Sequence, residues 1–171
     1  MRELLIGCGR DRNKRLWRDG LTTFSNLTTL DINPDHNPDV LHDLCKLPYP
    51  FADNTFDEIH AYEVLEHTGQ QGDYRFFFAQ FNEFHRILAP DGILFATVPD
   101  PRSPWAWGDP SHTRIFPLEW LTFLSRSEYE KQVGVTAMSD FRYLMTCDFR
   151  TLKATTNGTT AMFAIQAIKP Q

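Results

Sequence analysis

The residues best suited to chemistry in this sequence are two glycines near its start and an acid beyond them. Gly7 and Gly9 follow the apolar run 3–6, and Asp31 follows the next strand-like run, residues 27–30. A glycine turn after a strand lets a ligand approach the backbone closely, and an acid at the tip of the neighbouring strand can accept hydrogen bonds from both hydroxyls of a ribose. This arrangement predicts a site for a cofactor that contains a nucleoside.

The loop after the glycine turn indicates which cofactor this is. Arg12 stands where the Gly-x-Gly-x-x-Gly fingerprint of dinucleotide-binding proteins has its third glycine, which serves pyrophosphate contact and helix packing. Bulky polar and charged side chains follow in residues 13–15. A cofactor with a ribose but no phosphate therefore fits better than NAD, and S-adenosylmethionine is such a cofactor. A nicotinamide-dependent oxidoreductase is the weaker hypothesis.

A second group of polar residues follows later strands, where a methyl acceptor would lie. Methyl transfer is a displacement at an activated carbon, so the protein mainly aligns the acceptor, and a base helps where the acceptor is a hydroxyl or an amine. The acceptor-side candidates are Glu66, His67, Asp100, His112 and Arg114. His112 is the predicted base, because a histidine ordinarily titrates near neutral pH; a loop histidine that binds backbone carbonyls is the alternative. Arg114 is the predicted anion contact.

The proline-rich loop over residues 99–117 is predicted to form the wall of the acceptor site. Trp105 and Trp107 would offer a flat apolar surface to an acceptor, whereas packing of either ring onto the sheet edge is the alternative. No metal site is predicted, because no known ligand spacing matches the candidate residues His67, Asp109 and His112.

The composition describes a protein of one domain without a nucleic-acid signature. The 171 residues suffice for one core, and the formal net charge of −5 argues against duplex DNA as a partner. One basic cluster either forms a solvated surface or meets an anionic ligand: Arg10, Arg12, Lys14, Arg15 and Arg18. The three unpatterned cysteines, the lack of a secretory signal and the lack of an apolar run of about 20 residues predict a cytoplasmic protein that does not cross a membrane. The oligomeric state is left open.

Apolar runs and turn signals predict the elements that hold these residues. Parallel strands are expected at residues 3–6, 27–30, 39–42, 56–61 and 93–98, and a C-terminal hairpin is expected from residues 141–154 and 160–168 around Asn157-Gly158. Helices are expected at residues 12–25, 73–89 and 118–131, whereas the prolines between residues 32 and 38 reduce the second crossover helix to a loop. The whole chain, residues 1–171, is predicted to be a single domain.

Several segments, in this order, resemble the small class I S-adenosylmethionine-dependent methyltransferases over residues 3–100. They are Leu5-Ile6-Gly7-Cys8-Gly9, Leu30-Asp31-Ile32-Asn33-Pro34, Leu47-Pro48-Tyr49-Pro50-Phe51, Phe56-Asp57-Glu58-Ile59, Val64-Leu65-Glu66-His67 and Arg86-Ile87-Leu88-Ala89-Pro90-Asp91-Gly92. The resemblance implies a Rossmann-like, three-layer α/β/α fold with trimmed helices and a mostly parallel sheet that ends in an antiparallel hairpin. It also implies an enzyme that moves a methyl group from S-adenosylmethionine to an oxygen or nitrogen atom of an unidentified acceptor.

The resemblance further implies a set of cofactor-binding residues: Gly7, Cys8, Gly9, Asp31, Ile32, Asp43, Leu44, Glu63, Val64 and His67. The glycine turn would face the methionine part, Asp31 would bind the ribose, and Ile32 would cover the adenine face. Asp43 would lie at the adenine edge, with a backbone contact from Leu44. A turn or cap remains the alternative role for each of the two aspartates.

The chain departs from the family pattern in the glycine turn. Many members have an acid where this chain has Leu5, and the third glycine of the common turn is Asp11 here. The alternative function is therefore a protein that binds S-adenosylmethionine, or acts as a scaffold, with weak or no turnover.

Overall fold

One seven-stranded sheet organises the protein, and the computed structural model describes residues 1–169. Its strands are β1 (Glu3–Ile6), β2 (Leu27–Asp31), β3 (Val40–Leu41), β4 (Phe56–Tyr62), β5 (Leu88–Pro99), β6 (Phe149–Thr156) and β7 (Thr160–Ala167). They lie in the order β3-β2-β1-β4-β5-β7-β6. Strands β1 to β5 pair in parallel, and β7 is antiparallel to both β5 and β6. The predicted fold class is confirmed.

Helix α1 (Tyr74–Ile87) covers one face of the sheet, as its phenylalanine spacing predicts. Phe81 and Phe84 are fully buried, in one apolar cluster with Ile59 of β4 and Leu94 of β5. Truncating a buried phenylalanine to alanine typically costs about 3–5 kcal/mol. The main apolar core therefore lies on this face of the sheet, between α1 and the strands.

The opposite face of the sheet is covered by residues 10–25, which contain no helix. Tyr62 of β4 points to this face, and its hydroxyl accepts hydrogen bonds from the backbone N–H groups of Arg15 and Leu16, both at 3.1 Å. Backbone N–H groups of Arg15, Leu16 and Ser25 thus bond to side chains of the sheet and not in a helical pattern. The helix predicted at residues 12–25 is wrong for this reason, and the trimming of the helices goes further than expected.

Buried ion pairs hold this segment against the sheet. Lys14 Nζ lies 2.6 Å from Glu3 Oε1 and 2.7 Å from Glu58 Oε2. His60 Nε2 lies 3.1 Å from the same Glu58 oxygen, and the Ser25 N–H donates to Glu3 Oε2 at 2.7 Å. Buried polar contacts thus help to hold this segment on the sheet, where a helix would pack through an apolar face. We call Glu3, Lys14, Glu58 and His60 the Lys14 cluster.

Two connections contain short helical pieces. The crossover between β2 and β3 is a single 3-10 turn, Pro34–His36, as predicted. After β5 come the short helix α2 (Trp105–Gly108), a 3-10 segment (Leu118–Leu124) and helix α3 (Arg126–Gln132). The helix predicted at residues 118–131 is divided because Ser125 is extended, with φ −112° and ψ 118°.

The C-terminal hairpin begins later than predicted. Strand β6 starts at Phe149 because the backbone N–H groups of Thr146 and Cys147 donate to Asn82 Oδ1 on α1, both at 3.0 Å, and so join no strand. The predicted turn at Asn157-Gly158 joins β6 to β7. Within residues 1–169, no helix is long and apolar enough to cross a membrane.

Candidate functional site

The glycine turn after β1 meets the segment after β4 at one edge of the sheet. Gly7 and Gly9 have φ angles of +58° and +53°, left-handed values that favour glycine. A side chain at Gly7 would collide with Val64, which follows β4, whereas the space beside Gly9 is open. Both segments therefore border the carboxyl edge of the strands, where open α/β sheets bind their ligands.

Asp31 ends β2 beside this turn and carries a charge. Its Oδ2 accepts a hydrogen bond from the Gly9 N–H and its Oδ1 accepts one from the Asn33 N–H, both at 2.8 Å, while His36 Nδ1 lies 3.2 Å from Oδ2. Burial raises the pKa of Asp31, but these hydrogen bonds outweigh burial and hold the pKa below its usual range. A carboxylate has about four acceptor positions, and Oδ1 uses one of its two for the Asn33 N–H, so Asp31 can accept a further hydrogen bond.

Arg12 crosses the cleft between the glycine turn and the loop after β2. Its guanidinium donates to the carbonyl oxygens of Cys8 and Gly9 and, at 2.7 Å, to that of His36. The sequence indicates the bulk of Arg12 and its place in the basic cluster. It carries no signal for a bridge to His36, 24 residues away, or for the contact of His36 with Asp31. His36 is therefore a member of the site that pattern alone could not find.

Beyond Asp31 the surface forms an open depression that suits a flat ring. Its lining residues are Ile32, Leu41, His42, Asp43 and Lys46. Ile32 is 65% exposed, which is unusual for an isoleucine and leaves an apolar face available for stacking. Leu44 lies buried next to this depression, and its carbonyl accepts a hydrogen bond from the Tyr49 hydroxyl at 3.1 Å. The depression therefore offers an exposed apolar side chain and polar groups next to Asp31.

Glu66, His67 and His112 come together in space although helix α1 and strand β5 lie between His67 and His112 in the sequence. Glu66 Oε1 lies 3.9 Å from Nε2 of each histidine, and the two rings stand 4.7 Å apart between centroids. Only 2% of Glu66 is exposed, and neither of its carboxylate oxygens has a hydrogen-bond partner within residues 1–169. Burial raises the pKa of Glu66 to about 8. We call these three residues the Glu66 cluster.

Arg114 lies beneath this cluster as a core residue. Its buried guanidinium donates to the Leu65 carbonyl and the Thr68 hydroxyl, both at 2.8 Å, and to Gln80 Oε1 at 2.6 Å. Burial also lowers the pKa of Arg114 to about 10. Because these contacts tie the turn after β4 to α1, we do not retain Arg114 as an anion contact.

The remaining acceptor-side candidates lie after β5. Asp100 accepts hydrogen bonds from the backbone and side chain of Arg102 and from the Thr156 hydroxyl, so it ties the end of β5 to the hairpin. Trp105 and Trp107 are 65% and 75% exposed on α2, which argues against packing onto the sheet edge. The tryptophans thus remain available to a ligand, whereas Asp100 is engaged by its neighbours.

Comparisons with known proteins agree with this geometry. The family model described as "Methyltransferase domain" matches residues 4–96, more than half of the chain. No curated protein matches the sequence.

Solved structures match almost the whole chain. A SAM-dependent methyltransferase from Archaeoglobus fulgidus is 16% identical, with 98% of this chain and 86% of that chain covered and a TM-score of 0.58. A chain of the complex between the Haloferax volcanii Trm112 methyltransferase activator and its methyltransferase is 13% identical, with 99% and 82% covered and a TM-score of 0.63. The N-methyltransferase NodS from Bradyrhizobium japonicum, solved with S-adenosyl-l-homocysteine, is 14% identical, with 98% and 78% covered and a TM-score of 0.57. At these identities the likenesses show the fold alone.

The family match, the sheet order and the placement of the glycine turn next to Asp31 lead to one conclusion. The predicted enzyme class and the predicted cofactor, S-adenosylmethionine, are confirmed, with the acceptor unspecified. The chain belongs to the methyltransferase domain family, in the class I group that takes its methyl group from S-adenosylmethionine.

Proposed function

We propose that the chain binds S-adenosylmethionine along the carboxyl edge of β1, β2 and β4 and passes the methyl group to an oxygen or nitrogen acceptor at the Glu66 cluster. The observation that carries this proposal is Asp31, a charged carboxylate held beside a left-handed glycine turn. The residues that would surround the cofactor are Gly7, Cys8, Gly9, Asp31, Ile32, Asp43, Leu44, Glu63, Val64 and His67.

The protein has a limited chemical task, because the bound cofactor supplies a methyl group already activated by its sulfonium. Asp31 would fix the ribose, and the glycine turn would let the cofactor lie against the backbone. On the acceptor side the protein has to align the attacking atom, exclude water and take up a proton. His112 is suited to the last task, because its Nε2 lies 3.9 Å from both Glu66 Oε1 and Asp109 Oδ2, and either acid would stabilise the protonated ring.

The outer wall of the acceptor site would come from helix α2. The exposed indoles of Trp105 and Trp107 offer flat surface to an aromatic or sugar-like acceptor. We also place the protein in the cytoplasm, because Cys8, Cys45 and Cys147 are all free thiols, as is usual in a reducing compartment.

A protein that binds the cofactor without turnover is the competing function, and one observation favours it. Arg12 ties the glycine turn to the loop after β2 and so narrows the cleft that the cofactor would enter. In that case S-adenosylhomocysteine would bind weakly and no acceptor would be methylated.

The test is calorimetric titration with S-adenosylhomocysteine and, separately, with NAD. We expect the first to bind and the second not to bind. Asp31→Ala should lose about 1.5–3 kcal/mol of binding free energy for each charge-assisted hydrogen bond removed. The matched control is Asp35→Ala, an exposed acid in the same loop, which should bind as the unaltered chain does. Equal affinity of the Asp31 and Asp35 variants would place the ribose elsewhere.

A further inference from the structure

The Glu66 cluster is a group of potential metal ligands, in which Glu66 is buried and the two histidines are half-buried. Glu66 and His67 belong to the 3-10 turn Leu65–His67 after β4, and His112 comes from the proline-rich loop after β5. One ligand atom from each of the three residues lies within 4.8 Å of the other two. The Thr113 N–H donates to the Glu66 carbonyl at 2.9 Å, which fixes the loop against the turn. Backbone contacts therefore bring the turn and the loop together, and no hydrogen bond within residues 1–169 joins Glu66 to either histidine.

Glu66 is the feature that points to a ligand. It is 2% exposed, and both of its oxygens lack hydrogen-bond partners in the part of the chain that the structure describes. Glu63 and Asp109 add further negative charge around it, while the Arg114 guanidinium donates its hydrogen bonds elsewhere. An ionised carboxylate in such surroundings carries a penalty of several kcal/mol unless a cation accompanies it.

His67 is oriented as metal ligands usually are, while His112 presents Nε2 to Glu66 and has no hydrogen-bond partner on its buried Nδ1 within residues 1–169. His67 Nδ1 lies 3.2 Å from both the carbonyl and the hydroxyl oxygen of Ser111, and the Ser111 hydroxyl donates to Asp109 Oδ1 at 2.6 Å. When Nδ1 donates to a neighbouring oxygen, Nε2 keeps its lone pair for a metal. That Nε2 atom faces Glu66 Oε1 at 3.9 Å, as does Nε2 of His112.

We propose that Glu66, His67 and His112 bind a divalent metal ion, with Asp109 at 3.9 Å from His112 as a further oxygen donor. Bonds of about 2.0–2.2 Å from imidazole nitrogen and carboxylate oxygen are the usual lengths, and small rotations of these side chains reach them. Two imidazoles and a carboxylate without thiolate suit first-row ions such as Mn²⁺, Fe²⁺, Co²⁺ or Zn²⁺. Spacing in the sequence gives no hint of this site, because His112 lies far from His67 along the chain.

This inference rests on the proposed function and deepens it by naming an acceptor class. An ion with open positions would bind a hydroxyl oxygen and lower its pKa, so the acceptor would be a hydroxyl that reaches the ion. The hydroxyl would release its proton to solvent. Its oxygen would then form the bond to the methyl carbon while the carbon–sulfur bond breaks and leaves its electron pair on sulfur. In this arrangement His112 would bind the ion and would not act as the base. The ion would activate the acceptor hydroxyl.

The test uses Co²⁺ as the probe, because its visible absorption reports imidazole and carboxylate coordination without cofactor or acceptor. The full chain, first treated with a chelator, should take up one equivalent of Co²⁺ with a saturable band. Glu66→Gln and His67→Ala should each weaken Co²⁺ binding by at least about tenfold, since loss of even an outer partner of a metal ligand commonly costs that much. Thermal melts without metal show whether each variant folds. If Glu66→Gln does not fold, the Co²⁺ affinity of His67→Ala tests the proposal.

The matched control is His85→Ala, which removes a half-buried histidine of α1 whose ring contacts the Ile168 carbonyl. It should bind Co²⁺ as the unaltered chain does. The proposal would be overturned if no band appeared, or if the Glu66 and His67 variants bound Co²⁺ as tightly as the unaltered chain. His112 would then return to the role of base. Because the titration contains no cofactor, its failure and the failure of S-adenosylhomocysteine binding are separate results.

Discussion

Two buried glutamates, one within β4 and one in the turn that follows it, meet contrasting surroundings. Glu58, in the Lys14 cluster, is 0% exposed and lies 2.7 Å from Lys14 Nζ and 3.2 Å from Arg18 Nε. Glu66, in the Glu66 cluster, is 2% exposed and its oxygens have no hydrogen-bond partner within residues 1–169. Burial raises the pKa of both carboxyl groups, but hydrogen bonds with His60 and Lys14 bring that of Glu58 down to about 2, while that of Glu66 rises to about 8.

The contrast separates a structural cluster from a binding site. In both places a glutamate and at least one histidine stand close enough to hold a metal ion. The Lys14 ammonium already occupies the position of the cation in the first cluster, where it holds residues 10–25 against the sheet. In the second cluster no lysine or arginine within residues 1–169 hydrogen-bonds to the glutamate, because the nearby Arg114 guanidinium donates its hydrogen bonds elsewhere. Burial alone therefore does not mark a functional acid; burial without a partner does.

The largest effect should come from removing the internal cation. Lys14→Met leaves Glu3 and Glu58 buried without their ammonium partner, and breaking a buried pair in this way typically costs about 3–5 kcal/mol. Urea unfolding of the variant should show a loss of this size. The control Arg15→Met breaks an exposed pair with Asp11, where solvent screens the two charges, and it should lose much less stability. Similar losses in the two variants would remove the structural role given to the Lys14 cluster.

Acid should weaken the same cluster in a defined pH range. The groups that face Glu58 are Glu3, Lys14, Arg18 and His60. Because the folded-state pKa of Glu58 is lowered from 4.5 to about 2, its stabilising contribution is complete above about pH 4.5 and is lost as the pH falls towards 2. Unfolding free energies measured across that range should converge for the unaltered chain and Lys14→Met. A difference in unfolding free energy that stayed constant across this pH range would contradict the pairing of Glu58 with Lys14.

The smallest effect is expected at Glu66 in metal-free protein. Glu66→Gln has the shape of the protonated acid and removes no hydrogen bond, so at about pH 4.5, where Glu66 is protonated in the folded protein, its free energy of unfolding with a chelator present should stay within about 1 kcal/mol of the unaltered chain. The measurement is urea unfolding under the conditions used for Lys14→Met. A loss of several kcal/mol would mean that Glu66 has a structural partner, and the contrast between the clusters would disappear.

Local patterns predict the parts of the fold that depend on nearby residues. The phenylalanine spacing predicts α1, the prolines predict the loss of the second crossover helix, and Asn157-Gly158 predicts the hairpin turn. The segment over residues 10–25 could not be predicted, because its path depends on contacts with side chains of distant strands. Lys14 and Glu58 are 44 residues apart in sequence, and no local rule joins them.

The residues of the candidate site likewise fall into those that local patterns predict and those that they do not. Gly7 and Asp31 follow strands directly, so their common position at the sheet edge can be predicted from strand order. The bridge from Arg12 to His36 and the meeting of Glu66 with His112 depend on the course of loops through space. Sequence patterns do not encode such courses, and for this reason the metal-ligand geometry could be seen only in the structure.

The most direct test of the contrast is anomalous diffraction from crystals grown with Co²⁺ and S-adenosylhomocysteine, recorded at the cobalt edge. We predict one anomalous peak among Glu66, His67 and His112, none in the Lys14 cluster, and ligand density with its ribose on Asp31. A crystal that binds the cofactor product but has no peak at Glu66, or that has its peak between Glu3 and Glu58, would contradict the account.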